Sequence, residues 1–386
     1  MARHPQRAPG STASLRTANQ RRILGQLRSG VTHTQAELAR LTGLAPATVS
    51  NLVRGLVSTG LVETESGSGR RGSSVRLARR AGLVAGVDFG HSHVAVAVGD
   101  LTGDILAEER RSLPSTHAYD ASLALATELL EGLLAGLDTG PDALLRATVG
   151  IPAPMTESVV RSSGILPGWH GVDVLAAAEK VFGLPVDVEN DANLGALAEH
   201  RLGVASGATS SVFVKISSGI GAGIVWRDQL FPGASGTAGE LGHLTLDEAG
   251  PLCRCGGRGC LEAYSSSSTI LSLLGVHLPD ATLDDAIAAG EQGDVAARRA
   301  FEDAGLHLGW GLAGVVNLIN PEVVVIGGDM ARAGELLLGP ARIGLRRHAL
   351  DPVAQTPVLA SELGERASLA GAVLLAAERT DLINVR

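Results

Sequence analysis

Aromatic side chains are scarce in this chain: Phe, Trp and Tyr together make up 3% of 386 residues. A surface that stacks unpaired bases on successive rings is therefore a poor basis for its function. No apolar run approaches the ~18–20 residues of a membrane span. The first twenty residues, MARHPQRAPGSTASLRTANQ, lack an apolar core and read as a basic leader rather than a secretory signal. Cysteine is confined to three residues, all between positions 253 and 260. An odd, clustered set does not make a disulfide framework and points to a reducing, cytoplasmic setting. Lysine and aspartate are missing from the first 80 residues. That segment holds 13 Arg and 3 Glu, a net of +10 in a chain that totals −8, which leaves −18 for the remainder. The split implies a basic nucleic-acid module joined to an acidic body.

The basic segment has the pattern such a module needs. Residues 15–29 place Leu15, Ile23, Leu24 and Leu27 at helical spacing. In the stretch that follows, small Ala39 lets two helices approach, Gly43 takes the turn, and Leu38, Val49 and Leu52 pack the angle between them. Pro46 suits the first turn of the second helix, although Ala45 before it is a weak cap. With Val49 and Leu52 buried, Thr48, Ser50, Asn51 and Arg54 face outward; Asn reads adenine and Arg reads guanine in a major groove. Residues 61–64 and 74–78 read as strands of a wing. Arg70 and Arg71 stand at its Gly/Ser tip, suited to a narrow minor groove. Arg16, Arg21, Arg22 and Arg28 are candidates for phosphate contacts, which set register rather than sequence.

From about residue 83 strand-like and helix-like segments alternate, so the body is α/β. No fixed-period repeat is visible, although two similar halves remain conceivable in space. The strongest chemical signal is GHLTLDEAGPLCRCGGRGCLE. His243, Cys253, Cys255 and Cys260 form the ligand set of a closed tetrahedral zinc site, hence a structural one. The alternative is three reduced cysteines with packing roles.

Residues 216–243, ISSGIGAGIVWRDQLFPGASGTAGELGH, together with CxCGxxGCxE, ENDAN (189–193), LPGW (166–169), DFG (88–90) and NPEVVVIGG (320–328), resemble the ROK family of repressors, open reading frames and kinases. The likeness spans roughly residues 83–386. With the helix-turn-helix in front, the chain is similar to ROK repressors of the xylose and N-acetylglucosamine kind. The resemblance implies a two-lobed body like those of sugar kinases and actin (ribonuclease H-like), with a sugar between the lobes. It divides the chain into a winged head (1–82), a first lobe (83–188 plus about 366–386) and a second lobe with the metal motif (189–365). Asn190, Asp191, Glu240, His243 and Glu262 are then the expected sugar contacts. Carboxylates and an amide supply the fans of donors and acceptors that a polyol needs. His243 serves twice, one nitrogen on zinc and the other toward the sugar.

In kinases of this family the Asp of ENDAN is the general base, so Asp191 keeps an enzymatic reading open. The phosphate loops oppose it. His91 stands where the kinase turn has Gly, the second loop reads Ser217-Ser218-Gly219, and Asp329 follows Gly327-Gly328. A carboxylate there repels phosphate, so ATP with Mg²⁺ is not an expected ligand. The sequence thus predicts a sugar-responsive regulator, a repressor of carbohydrate genes. It would be a homodimer or tetramer on double-stranded operator DNA, with a monosaccharide or sugar phosphate as effector. A hexokinase-type enzyme with a fused DNA-binding domain, and a switch sequestered by a protein partner, are the rivals.

Overall fold

The computed structural model describes residues 11–28, 30–65, 73–78, 81–161 and 164–383. Helix α1 (Thr12–Leu27) opens on Ser11, whose hydroxyl accepts from the Ser14 N–H. Ile23, Leu24 and Leu27 are buried, but Leu15, which shares their spacing, is 56% exposed; only the C-terminal half of α1 joins the core. A short strand β1 (His33–Thr34) leads into α2 (Gln35–Thr42). Its first turn is a reciprocal cap: Thr34 Oγ1 accepts from the Glu37 N–H at 3.2 Å, and Glu37 Oε2 accepts from the Thr34 N–H at 2.7 Å. Gly43 ends α2 with φ +67°, a left-handed conformation that glycine adopts without strain. Helix α3 (Pro46–Ser58) then starts on Pro46, with no side-chain cap from Ala45. Strands β2 (Val62–Glu65) and β3 (Ser74–Leu77) pair antiparallel, and β1 joins β3, giving the wing. The expected tip contacts Arg70 and Arg71 lie outside the described residues.

The body contains the same topology twice. Strands β4 (Leu83–Phe89), β5 (His93–Asp100) and β6 (Ile105–Ser112) form an antiparallel meander. Helix α4 (Tyr119–Gly136) leads to β7 (Leu144–Ile151), which lies parallel to β4. A small hairpin, β8 (Met155–Thr156) and β9 (Val159–Val160), and α5 (Val174–Phe182) precede β10 (Val186–Asn190), parallel to β7. The sheet order is β10-β7-β4-β5-β6. After α6 (Asp191–Arg201), strands β11 (Ser210–Ile216), β12 (Ile220–Trp226) and β13 (Gln229–Leu230) form a second meander. Helices α7 (Glu262–Ser265), α8 (Ser267–Leu274), α9 (Leu283–Glu291) and α10 (Val295–Ile319) then lead to β14 (Val323–Gly327). Helix α11 (Glu335–His348) connects it to β15 (Val358–Ala360), and α12 (Ala367–Arg379) closes the chain. Read from the other edge, this sheet is β15-β14-β11-β12-β13, again three parallel strands and a hairpin. The two halves that no sequence period reveals are therefore present in space. Strands β1, β8, β9 and β15 are elements the sequence reading lacks; two or three residues carry no alternation to detect.

Helices α6 and α12 sit against each other, with α12 also on β4 and α6 also on β11 and β12. Glycines permit that closeness. A Cβ at Gly371 would run into the Leu194 carbonyl, and one at Gly223 would run into the Ala192 carbonyl. The head is not loosely tethered to this body. Its core residues Ile23, Leu27, Val49 and Leu56 belong to one apolar cluster with Val84, Ala97 and, from α12, Val373 and Ala377. Burial of that seam makes the head, the first sheet and α12 a continuous packed unit.

Candidate functional site

The exposed side of α3 agrees with the sequence reading. Ala47, Asn51 and Arg54 are exposed at i, i+4 and i+7, Thr48 and Ser50 are half-buried beside them, and Val49, Leu52, Val53 and Leu56 are buried. Thus one stripe of α3 faces solvent with an amide and a guanidinium, as a groove-reading helix requires. The other end of the head behaves differently from expectation. Arg21 pairs with Asp381 at 2.7 Å. Arg28 is half-buried and donates to the carbonyls of Ala377 and Thr380 at the end of α12. These carbonyls lie in the last turn, where the Ala377 oxygen receives only the long Thr380 N–H contact at 3.4 Å, and they carry the negative end of the helix dipole, so they attract the cation. Two of the four arginines expected on DNA phosphates are therefore committed to the body.

All five expected sugar contacts line one pocket between the two sheets, together with Asp88, His91, His93, Lys215, the Ser217–Gly219 loop and Asp329. Asn190 reaches it from the end of β10 and Asp191 from the start of α6, the usual place for ligands in open α/β sheets, while Glu240 and His243 come from a 3-10 turn (Leu241–His243 and its cap) and Glu262 from the start of α7. Asn190 caps α6: its Oδ1 accepts from the N–H groups of Ala192 (2.9 Å) and Asn193 (3.3 Å), while its Nδ2 faces the Ile151 carbonyl at 3.4 Å. Asp191, buried in the first turn, meets Lys215 Nζ at 2.7 Å. Glu262 is also buried. One oxygen accepts from the Ile220 N–H (3.0 Å) and the other from Arg254 Nε (2.8 Å). Glu240 stands half-buried, 3.9 Å from His243 Nε2. Burial holds its carboxyl above the usual carboxylate range, with Glu262 and Asp191 adding to the shift and His243 opposing it.

His243 indeed faces two ways. Its Nδ1 lies 3.9 Å from Cys253 Sγ while Nε2 points toward Glu240. The ligand atoms of His243, Cys253, Cys255 and Cys260 all fall within 4.8 Å of one another, and the Cys255 and Cys260 sulfurs are 3.8 Å apart. A tetrahedron with 2.3 Å metal–sulfur arms has an edge of about 3.8 Å, so the set fits a four-coordinate ion. The adjoining Arg254 crosses from this motif to Glu262 and to the Ser218 carbonyl. The metal loop is thereby tied to the wall of the pocket.

The kinase-like turn is altered as the sequence suggests. His91 Nδ1 is 2.9 Å from the Ile165 carbonyl, and the His93 ring occupies the space that a Cβ on Gly90 would need. His93 Nε2 lies 3.7 Å from Asp88 Oδ2.

The residue that sequence reasoning missed is Lys215. It projects from β11 to Asp191 and to Ser368 Oγ (3.0 Å), and Ser368 in turn donates to the Asp191 backbone carbonyl (2.9 Å). Burial favours its neutral form, but the Asp191 and Asp88 carboxylates outweigh that and raise its pKa above the ordinary lysine value. For Asp88, burial is the largest influence and acts upward, but Lys215, His93 and Arg110 together more than reverse it, leaving the carboxyl below its usual range. A signal existed: Lys180 and Lys215 are the chain's two lysines, and Lys215 interrupts the apolar run SSVFVKI.

A model of the ROK family matches residues 84–379, and one of the MarR family matches residues 16–72. The xylose repressor of Bacillus subtilis is 27% identical over 92% of this chain and 94% of its own length. The DNA-binding transcriptional dual regulator NagC of Escherichia coli is 30% identical over 89% of this chain and 88% of its own. Among solved structures, a ROK family transcriptional regulator, a homologue of an Escherichia coli protein named MLC, shares the fold over 96% of this chain and 98% of its own (TM-score 0.80, 24% identity). A ROK family glucokinase from Streptomyces griseus, solved with glucose and AMPPNP, covers 77% of this chain and all of its own (TM-score 0.68, 29% identity).

Proposed function

The chain belongs to the ROK family, and from that premise we propose that it is a sugar-responsive, DNA-binding repressor of carbohydrate genes. The observation that carries this is the joining of a winged helix-turn-helix to a pocket lined by Asn190, Asp191, Glu240, His243 and Glu262. Thr48, Ser50, Asn51 and Arg54 read the operator, and Arg70 and Arg71 contact its minor groove. The working form is a homodimer on a two-fold operator, because paired heads on successive major grooves multiply affinity and set half-site spacing. Among the described residues no helix is long and apolar enough to cross a membrane, and a cytoplasmic location accords with the free cysteines.

His243, Cys253, Cys255 and Cys260 hold a structural zinc ion. It supplies a fixed cross-link and leaves no open coordination position. The chain's own residues do the rest: Arg254 transfers the loop's position to Glu262, and His243 presents its second nitrogen to the pocket.

The effector signal leaves through α12. A sugar hydroxyl that donates to Asp191 competes with Lys215 and so acts on Ser368, which bonds both. Ser368 stands at the start of α12, and Arg28 of the head grips its end, about 20 Å away for 13 residues.

The test is direct. An operator is selected from random duplexes, and its affinity is measured by fluorescence anisotropy with and without each sugar of a panel. Sugar-dependent release supports the proposal; operator binding unmoved by every sugar and sugar phosphate refutes it.

A further inference from the structure

The charge inside the pocket is lopsided in a way that bears on which sugars it takes. Its walls carry seven carboxylates against two permanent cations, Lys215 and Arg110. Both cations are spoken for. Arg110 pairs with Glu365 on the pocket rim. Lys215 is held by Asp191 and Ser368 and also lies in the field of Asp88 and Asp329. Two uncharged anion cradles are filled as well. The first N–H groups of α6 are capped by Asn190, and Asp191 already places a carboxylate in that first turn. The Asp329 N–H donates to Ser217 Oγ at 3.2 Å. His93 faces Asp88, so even a charged imidazole there answers a carboxylate already present. Asp88 Oδ1 is buried behind the pocket wall with no hydrogen-bond partner, so the negative charge of that carboxylate is offset only by Lys215, His93 and Arg110.

We infer that the effector of this pocket is an uncharged monosaccharide, and that phosphorylated and acidic sugars are excluded by the carboxylates around Lys215. This rests on the sugar-effector reading above and sharpens it. One hydroxyl of a neutral polyol accepts from the remaining N–H of Lys215, and others donate to Asp191 or Glu240, without bringing charge into the site. A phosphate dianion meets Asp88, Asp191 and Asp329 with only Lys215 to offset them, in a partly dry site where repulsion is little screened.

The full-length protein is titrated by calorimetry, and its operator complex by anisotropy, with xylose, glucose and N-acetylglucosamine. The 5- or 6-phosphates of the same sugars, glucuronate and inorganic phosphate are run alongside. For the sugar that acts, its phosphate binds at least about a hundredfold more weakly. Raising the salt from about 0.05 to 0.3 M narrows the gap, because screening relieves repulsion and leaves neutral binding unmoved. Asp329→Asn narrows it further, by about fivefold or more, read as the ratio of the two affinities in the same preparation. A phosphate that binds as well as or better than its parent sugar overturns the inference while leaving the effector reading intact. Failure of every compound, neutral and charged, to bind or to move the operator overturns both.

Discussion

Replacing Arg28 tests whether α12 transmits the effector signal. The guanidinium bonds the Ala377 and Thr380 carbonyls, and burial lowers its pKa against the pull of Glu378 and Asp381. Hydrogen bonds from a charged donor are worth about 1.5–3 kcal/mol each. Half exposure lets water replace part of that, so Arg28→Ala removes about 1–3 kcal/mol from the joint between head and body. The neighbouring Arg21–Asp381 pair is exposed and adds less than about 1 kcal/mol. An allosteric coupling is itself about 1–3 kcal/mol, a 5–150-fold change in operator affinity; loss of the joint is thus large enough to erase it. The assay is the ratio of operator dissociation constants with and without saturating sugar, beside sugar affinity by calorimetry. Arg28→Ala keeps sugar affinity within about twofold and brings the ratio close to one, whereas Arg28→Lys retains part of the response. Ser368→Ala at the other end of α12 has the same effect, and the double variant is no worse than either single one, as expected for two points on one connection. Full response in Arg28→Ala, or a double variant whose losses simply add, refutes the α12 route.

Lys215→Met leaves Asp191 and Asp88 without their shared cation and lowers stability by up to about 3 kcal/mol, toward the range of broken buried pairs, as measured by urea unfolding. Asp88 is depressed in the folded state, so the stability it contributes is present above the ordinary aspartate range and is lost as pH falls through its lower folded value. The acid limb of the unfolding profile is therefore shallower in Lys215→Met than in the parent. Metal analysis is expected to find one equivalent of zinc in the parent and none in Cys255→Ser, with weakened sugar affinity in the variant; a zinc-free variant that binds sugar normally contradicts the role given to the metal loop. Asn51→Ala loses about 1–3 kcal/mol at the selected operator and little on random duplex, whereas Arg22→Ala weakens both alike and lowers the salt slope.

What was legible in the sequence follows from how local each signal is. The turn of the head is local: Gly43 and Pro46 declare the end of α2 and the start of α3, and the Thr34–Glu37 cap that starts α2 is equally local although the sequence reading does not use it. The metal set is local as well, four ligands within eighteen residues. The pocket is only partly so. Asn190 and Asp191 follow a strand and open a helix in consecutive positions, but Glu240 and Glu262 reach them only because β11 and β12 return beside α6. The motifs stood in for that geometry. Nothing stood in for Lys215, whose three carboxylate neighbours come from positions 88, 191 and 329, or for Arg28, whose partners lie about 350 residues away. In the sequence Arg28 is one more cation in a basic head, and counting charge assigns it to DNA. Its true partner is a helix end, and a helix end carries no formal charge to count. The same holds for the net charge of the body. At −18 it forecasts that DNA stays on the head, but it does not forecast that carboxylates converge on one lysine inside a pocket. Long-range electrostatics depends on total charge, whereas ligand choice depends on which charges remain unpaired at a given wall. That second quantity exists only once the chain has folded.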